Sequence, residues 1–321
     1  MFKTTLTTSM IVLGLTTSST VMAEQKLVVI SSFSILGDLV SEIGQQHVSV
    51  TNLVKVNGDA HVFSPTPQDA KAISSAQLVV MNGLQFEGWM PRLLEAANYQ
   101  GVQVIAANGI DELKTKQGGS KHEHHDHDHE QHSDEHEHHD HAHHDHGDID
   151  PHAWHSIKNV KIYVNNITQG LIKVDPENRL DYQQNATDYI QELEQLAVKL
   201  GAQLATIPEA QRKVITPHDA FGYFARDFNV TFLAPQGTST GSEASAADVA
   251  RLIKQIRHDN VNAVFMENIT DNRLIEQISR ETDAKIGGKL YSDALSSTDQ
   301  SAATYLAMMQ YNVDTIVDAL K

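Results

Sequence analysis

The sequence is rich in histidine, whose imidazole nitrogens are common ligands of metal ions. It contains 19 histidines and no cysteine, so a metal site here would use histidine nitrogens and carboxylate oxygens. Thirteen of the histidines lie in one acidic run, residues 121–147, together with nine acidic side chains and one lysine. So many imidazoles cannot all bind one ion. We therefore predict that the run binds several ions weakly and that a separate, tight site lies elsewhere.

Four residues outside this run stand where an α/β fold builds a site. His61 follows a predicted strand, His218 ends another, and Asp293 follows a third, while His152 opens a helical pattern. Ligands of open parallel sheets collect beyond the carboxyl ends of the strands. Taken singly, such a histidine is more often a hydrogen-bonded structural residue than a ligand. The spacing alone therefore leaves both interpretations open.

The remaining histidines are expected to have no part in such a site. His47 lies at a helix-to-strand turn and His258 at the end of a helical pattern, so we predict that both are surface residues. His155 is three residues after His152, on the same predicted helix face. We expect it to face solvent, with an auxiliary metal ligand or a supporting group as the alternative.

Strands and helices alternate along the chain, which predicts βαβ units and parallel sheets. Strand-length apolar runs occupy residues 26–31, 48–56, 78–83, 102–108, 213–218, 230–235, 261–268 and 285–295. Between the two groups of strands, a helical pattern continues from Pro176 to Pro208, about twice the usual helix length. The predicted fold is therefore α/β, with two similar lobes, each a parallel sheet flanked by helices, joined by one long rigid α-helix.

The chain is accordingly divided into four parts. Residues 1–23 have the charge, apolar core and small residues of a secretory signal peptide. The other three parts are an amino-terminal lobe (24–174) with a mobile His/Asp/Glu-rich loop (114–148), a linking helix (175–207) and a carboxyl-terminal lobe (208–321).

The amino-terminal segment and the net charge limit the expected location of the protein and the partners that it can bind. A signal peptide without a cysteine to carry a lipid predicts a soluble periplasmic protein that is not lipid-anchored. The net charge is −17 with neutral histidines, which argues against a nucleic-acid partner because phosphates require a basic face.

Four motifs follow one another along the chain: H-V-F-S-P-T-P-Q-D (61–69), D-P-H-A-W (150–154), H-D-A-F-G-Y-F (218–224) and Y-S-D-A-L (291–295). Together they resemble the ZnuA-like solute-binding proteins of metal ABC importers. The resemblance covers nearly the whole mature chain and includes the His-rich insert. It implies that His61, His152 and His218 bind the metal in a cleft between the lobes, with Asp293 as fourth ligand; water or another carboxylate replaces this aspartate in some members. The chain differs from the usual family pattern at Ala60, where proline is common, and at His155, where leucine is usual.

The resemblance implies a non-enzymatic protein, expected to be a monomer, that binds Zn²⁺ and delivers it to a membrane permease with its ATPase. Periplasmic zinc chaperones are further candidate partners. Three imidazoles and one carboxylate suit tetrahedral Zn²⁺. The resemblance implies that manganese-type relatives instead use two histidines and two carboxylates, because Mn²⁺ prefers more oxygen ligands. The alternatives are a zinc-dependent hydrolase, with Glu243 or Glu267 as its base, and a manganese-binding or adhesin-type relative. Whether the His-rich loop aids delivery or only buffers zinc stays open.

Overall fold

A computed structural model describes residues 26–115 and 149–321 of the chain. The predicted signal peptide (1–23) lies outside these residues, as does the predicted His-rich loop except for Lys114 and Thr115. Lys114 forms an antiparallel bridge with Ile149, so the two described ends that flank the run meet. Within the described residues, none of the helices combines the length and the apolar character needed to cross a membrane.

The amino-terminal lobe is built on a parallel sheet of four strands in the order β2-β1-β3-β4. The strands are β1 (Leu27–Phe33), β2 (Val48–Val54), β3 (Leu78–Met81) and β4 (Val102–Ile105). The helices are α1 (Ser34–Gly44), α2 (Pro67–Ser74), α3 (Met90–Ala96) and α4 (Ile157–Val174). All but one residue of β1 are buried, as expected for a central strand covered by helices on both faces. Helix α2 begins with a capping box between Thr66 and Asp69.

The carboxyl-terminal lobe repeats this plan with the strand order β6-β5-β7-β8. Its strands are β5 (Lys213–Ile215), β6 (Thr231–Leu233), β7 (Ala263–Glu267) and β8 (Lys285–Leu290). Its helices are α6 (Gly222–Phe228), α7 (Ala246–Asp259), α8 (Arg273–Glu281) and α9 (Tyr305–Leu320). The eight predicted strands are confirmed: β1 extends two residues further than predicted, and the other seven are shorter. Helix α6 was not predicted because its seven residues are too few to show a helical period.

A long helix, α5 (Arg179–Leu204), links the two lobes. It contacts α1 and α4 of the first lobe and α9 of the second. Its buried side chains recur every three or four residues along one face, and the helix runs through Gly201 without a break. It begins after a 3₁₀ turn (Pro176–Asn178), so it is shorter than predicted. The predicted fold class is confirmed, while the domain limits at residues 174 and 208 stay a prediction.

The apolar core has three parts, and the largest one belongs to both lobes. One small cluster lies under α2 and α3 of the first lobe, and another lies under α7 and α8 of the second. The central cluster is continuous from β1 through α4 and α5 to α9. Opening the lobes widely would expose this shared apolar surface, which is unfavourable at roughly 25 cal/mol per Å².

Candidate metal centre

Four side chains from four separate segments converge between the lobes. His61 lies between β2 and α2, and His152 precedes the 3₁₀ turn that leads into α4. His218 lies just beyond β5, and Asp293 just beyond β8. One potential ligand atom from each residue lies within 4.8 Å of the other three. The structure thus brings together all four residues predicted from the sequence; we call them the tetrad.

The ligand atoms of the tetrad face one common point. Nε2 of His61 lies 3.3 Å from Nε2 of His152 and 3.2 Å from Oδ2 of Asp293. Nε2 of His218 lies 3.3 Å from the same carboxylate oxygen, and Oδ1 of Asp293 lies 3.7 Å from Nε2 of His152. The side chains of His152, His218 and Asp293 are fully buried, and that of His61 is 5% exposed. His61 is therefore the member of the tetrad nearest to solvent.

Three polar atoms at this point have no hydrogen-bond partner within the described part of the chain: Nε2 of His218 and both carboxylate oxygens of Asp293. A buried polar group without a partner costs roughly 1–3 kcal/mol, and more if it is charged. A cation at the common point would satisfy all of these atoms. Three nitrogens and one carboxylate form a donor set that Zn²⁺ accepts in tetrahedral geometry.

A buried carboxylate orients His152 from behind. Asp150 accepts hydrogen bonds from Nδ1 of His152 at 2.8 Å and from its backbone N–H at 2.9 Å. With its proton on Nδ1, the imidazole presents the lone pair of Nε2 to the centre. The Asp150 backbone is itself fixed: its N–H donates to the carbonyl of Leu113, and its carbonyl accepts from the hydroxyl of Tyr223. Gly222 lies so close to the carboxylate that a Cβ there would be 2.4 Å from Oδ2.

His218 has an equivalent support from the neighbouring strand. Glu267, at the end of β7, has Oε2 2.5 Å from Nδ1 of His218, and both side chains are fully buried. The hydroxyl of Ser292 donates to the same oxygen at 3.0 Å. Glu267 is therefore engaged behind the histidine rather than placed to activate a water molecule, and Glu243 is exposed. The geometry gives neither residue the role of base that the hydrolase alternative requires.

His61 is supported by its backbone and by an aromatic neighbour. Its N–H donates to Oδ1 of Asp59 at 2.8 Å, and the carbonyl of Ala60 accepts from Nε1 of Trp89 at 2.8 Å. The edge-on ring of Phe86 has its centroid 4.7 Å from that of the imidazole. Packing and two hydrogen bonds therefore hold the member of the tetrad that is closest to solvent.

The charges around the tetrad favour an ionised Asp293 and a protonated His218. Burial lowers the pKa of the His218 imidazole, but the carboxylates of Glu267 and Asp293 outweigh it and raise the pKa well above its usual range. Burial raises the pKa of Asp293, but His152 and His218 outweigh it, so this pKa lies well below its usual range. Burial lowers the pKa of His61. Binding a metal ion would therefore displace a proton from His218.

The structure corrects two predictions about the other histidines. His155 does not face solvent: it is fully buried, and its ring lies 4.5 Å from that of Phe221. The 3₁₀ turn that carries it packs between the lobes, and burial lowers the pKa of His155 to about 3. His47 is also buried, and its Nε2 lies 2.8 Å from Oδ2 of Asp181 on α5. His258 is confirmed as a surface residue, with its side chain 87% exposed.

Sequence reasoning missed three groups that complete the site. Asp150 was visible in the D-P-H motif, since an acid two residues before a histidine can accept from its ring and backbone. Glu267 was considered only as a catalytic base, although its place at the end of the strand next to His218 could have indicated support. Phe86 precedes α3 in a turn, and no signal in the sequence points to it.

Comparisons with known proteins agree with this architecture. A solved structure of the periplasmic zinc binding protein TroA from Treponema pallidum matches with a TM-score of 0.79 at 27% identity, covering 92% of this chain and 99% of that one. The manganese-binding lipoprotein MntA of Halalkalibacterium halodurans is 30% identical over 92% of this chain and 88% of its own length. The iron-binding protein YfeA of Yersinia pestis is 28% identical over 91% of this chain and 86% of its own length.

Fold and relatives define a metal-binding, extracytoplasmic substrate-binding protein of an ABC transporter. The family model described as "Zinc-uptake complex component A periplasmic" matches residues 29–319, so the chain belongs to that family. The resemblance drawn from the four motifs is therefore confirmed. The relative from Halalkalibacterium halodurans is named a lipoprotein, in contrast to the lipid-free protein that we predicted.

Proposed function

We propose that this protein binds Zn²⁺ as its cargo in the tetrad and delivers it to the membrane permease of an ABC importer. The observation that carries this proposal is the buried set of three imidazoles and one carboxylate, whose ligand atoms lie within 4.8 Å of one another. The proposed ligands are His61, His152, His218 and Asp293. The ion is released again, so the protein acts as a carrier and its ATP-hydrolysing partner drives transport.

The choice of zinc over manganese rests on the donor atoms. Relatives are named for zinc, manganese and iron, so their names do not decide the cargo of this chain. Mn²⁺ prefers oxygen-rich sites, whereas three imidazoles favour Zn²⁺ and its neighbours in the transition series. The third imidazole, His218, is held by a hydrogen bond to Glu267 with Nε2 turned to the centre, which supports its role as a nitrogen ligand.

Metal analysis and calorimetry test the proposed cargo. Protein purified without chelators is expected to contain one tightly bound zinc, and the stripped protein is expected to bind Zn²⁺ on the order of 100-fold more tightly than Mn²⁺. His218→Ala and Asp293→Ala should each remove tight binding. His258→Ala, which removes an exposed imidazole, serves as the matched control. Tight binding of Mn²⁺ with weak binding of Zn²⁺ would refute the proposal.

The His-rich run (121–147) is proposed as an auxiliary that raises the local zinc concentration near the tetrad. Its role as a plain buffer is the alternative. The support is its composition and the bridge between Lys114 and Ile149, which brings together the described residues on either side of the run, next to Asp150. Deletion of 121–147 should leave one tight zinc per chain and slow metal loading at low zinc concentration. Unchanged loading would favour the buffer.

The partners and the location follow from the same proposal. The protein is proposed to act as a periplasmic monomer that is exported by its amino-terminal segment. It would meet a permease with its ATPase and receive zinc from periplasmic chaperones. Fractionation of cells, with and without membrane extraction, tests the location. A protein found only in the detergent-extracted membrane fraction would show that it is anchored.

A further inference from the structure

One loop of the second lobe connects the segments of two proposed ligands. We call residues 236–242, with the sequence Q-G-T-S-T-G-S, the strap. It begins beside the His218 segment: the N–H of Gln236 donates to the carbonyl of Pro217 at 3.3 Å, and the N–H of Asp219 donates to the carbonyl of Gly237 at 3.2 Å. The strap is thus tied at one end to the strand edge that carries His218.

The other end of the strap reaches the His61 segment of the first lobe. The hydroxyl of Thr240 donates to Oδ2 of Asp59 at 2.6 Å, while Oδ1 of Asp59 accepts the backbone N–H of His61 at 2.8 Å. Within residues 26–115 and 149–321, this is the one hydrogen bond that the strap makes to the first lobe. A single carboxylate therefore joins the strap to the segment of a ligand.

The position of this contact coincides with the most accessible side of the tetrad. His61 is the proposed ligand with a side chain that reaches solvent, whereas the other three are fully buried. A cavity of about 460 Å³ borders the contact and is lined in part by Asp59 and Thr240. The cavity borders both partners of the hydrogen bond, so it provides space for the strap to move away from Asp59.

We propose that the hydrogen bond between Thr240 and Asp59 is a latch that closes the metal cleft and sets the rate at which the ion leaves. The latch rests on the proposed metal-binding function. Thr240 and Asp59 are positioning residues: they act on the ion through the His61 segment and the strap. Because the latch closes behind a bound ion, its loss should act on dissociation more than on association.

Dissociation kinetics test the latch. Thr240→Val keeps the shape of the side chain and removes the hydroxyl, and it should speed zinc dissociation about tenfold, since a hydrogen bond to a charged group is broken. The association rate and the stoichiometry of one zinc should stay unchanged. The rate is measured by mixing zinc-loaded protein with an excess of a chromogenic chelator in a stopped-flow instrument. Thr240→Ser, which retains the hydroxyl, should restore slow dissociation.

Thr238→Val is the matched control, because it removes a strap hydroxyl that makes no hydrogen bond within the described residues. A wild-type dissociation rate in Thr240→Val, or an equal acceleration in Thr238→Val, would overturn the latch. In either case a tight zinc in the wild-type protein would leave the proposed function intact. A wild-type protein without any tight zinc would instead refute the proposed function itself.

Discussion

Glu267 lies directly behind His218, with its Oε2 2.5 Å from Nδ1 of the imidazole and both side chains fully buried. The carboxylate fixes the tautomer that presents Nε2 to the centre, and its charge increases the basicity of the ring. Asp150 has the same relation to His152. Two of the proposed ligands are thus oriented by acids that do not touch the ion.

Replacing this supporting acid is expected to weaken metal binding without removing a ligand. Glu267→Gln keeps the size of the side chain but loses the charge, so zinc affinity should fall roughly 10- to 100-fold, with one zinc still bound. Competition titration against a chelator of known affinity measures the change. Glu209→Gln, at an exposed position, is the control. Equal affinities of the two variants would show that Glu267 has only a structural role.

A glycine holds open the space that Asp150 needs. A Cβ on Gly222 would lie 2.4 Å from Oδ2 of Asp150 and 3.0 Å from Cδ2 of Leu113. Gly222→Ala should therefore displace the carboxylate from His152 and lower zinc affinity about tenfold. Gly201→Ala is the control, because a Cβ there meets nothing within 4 Å. In the last turn of α5 this change should stabilise the fold by at most roughly 0.5–1 kcal/mol and leave zinc affinity unchanged. Calorimetric titration with zinc measures the affinity of both variants, and equal affinities would contradict the prediction.

A half-buried acid outside the tetrad should make the stability of the fold depend on pH. Asp38 on α1 accepts the backbone N–H of Tyr305 at the start of α9, and burial raises its pKa to about 7. The unfolded chain loses this proton near pH 4, so the carboxyl destabilises the fold increasingly as the pH rises from about 4 to 7. Asp38→Asn should remove this loss and gain on the order of 2 kcal/mol over wild type between pH 5 and pH 8.

Urea unfolding of the metal-free protein at both pH values measures this gain. Asp283→Asn, at an exposed position, should show no pH-dependent difference from wild type. A pH-independent difference between Asp38→Asn and wild type would contradict the assignment.

The buried His155 should make the stability of the fold depend on pH in the opposite direction, so that stability is lost as the pH falls. Burial lowers its pKa to about 3, while the unfolded chain binds a proton below about pH 6.5, so stability is lost as the pH falls from about 6.5 towards 3. His155→Leu should remove this loss and gain about 2 kcal/mol over wild type between pH 7 and pH 5. His258→Leu, at an exposed site, should give no such gain.

The same variant separates a packing role for His155 from a role as ligand. Zinc affinity of His155→Leu should equal that of wild type, because the tetrad does not include this residue. A large loss of affinity measured by chelator competition would instead make His155 an auxiliary ligand.

The fold was predictable where the local signal is long or strongly apolar. The first strand shows as an apolar run at residues 26–31, and the 26-residue helix Arg179–Leu204 lies in a segment that has no breaker between Pro176 and Pro208 except Gly201. Helix Gly222–Phe228 has no such signal, because two turns with glycine at the start give too few apolar repeats. The same limit explains the error at His155, where a continuous helix was assumed and a 3₁₀ turn packs between the lobes instead.

The four proposed ligands were predictable because all of them lie within recognisable motifs and two of them, His218 and Asp293, lie just beyond strand ends. Their supports were not, since contacts such as Glu267 with His218 or Thr240 with Asp59 join residues far apart in sequence. The periodicity of apolar residues and a sequence motif both describe residues that are close together along the chain. Which side chains meet across two lobes depends on how the sheets are oriented, and no local pattern records that.

The tetrad takes two side chains from each half of the chain, and this has a consequence for maturation. A fragment that ends before β8 lacks Asp293, and one that begins after α2 lacks His61. A newly made chain has no complete tetrad until both halves have folded and docked. On the proposed function, metal binding therefore follows folding. The metal-loaded protein should open less often than the metal-free protein, so proteases should cleave it more slowly.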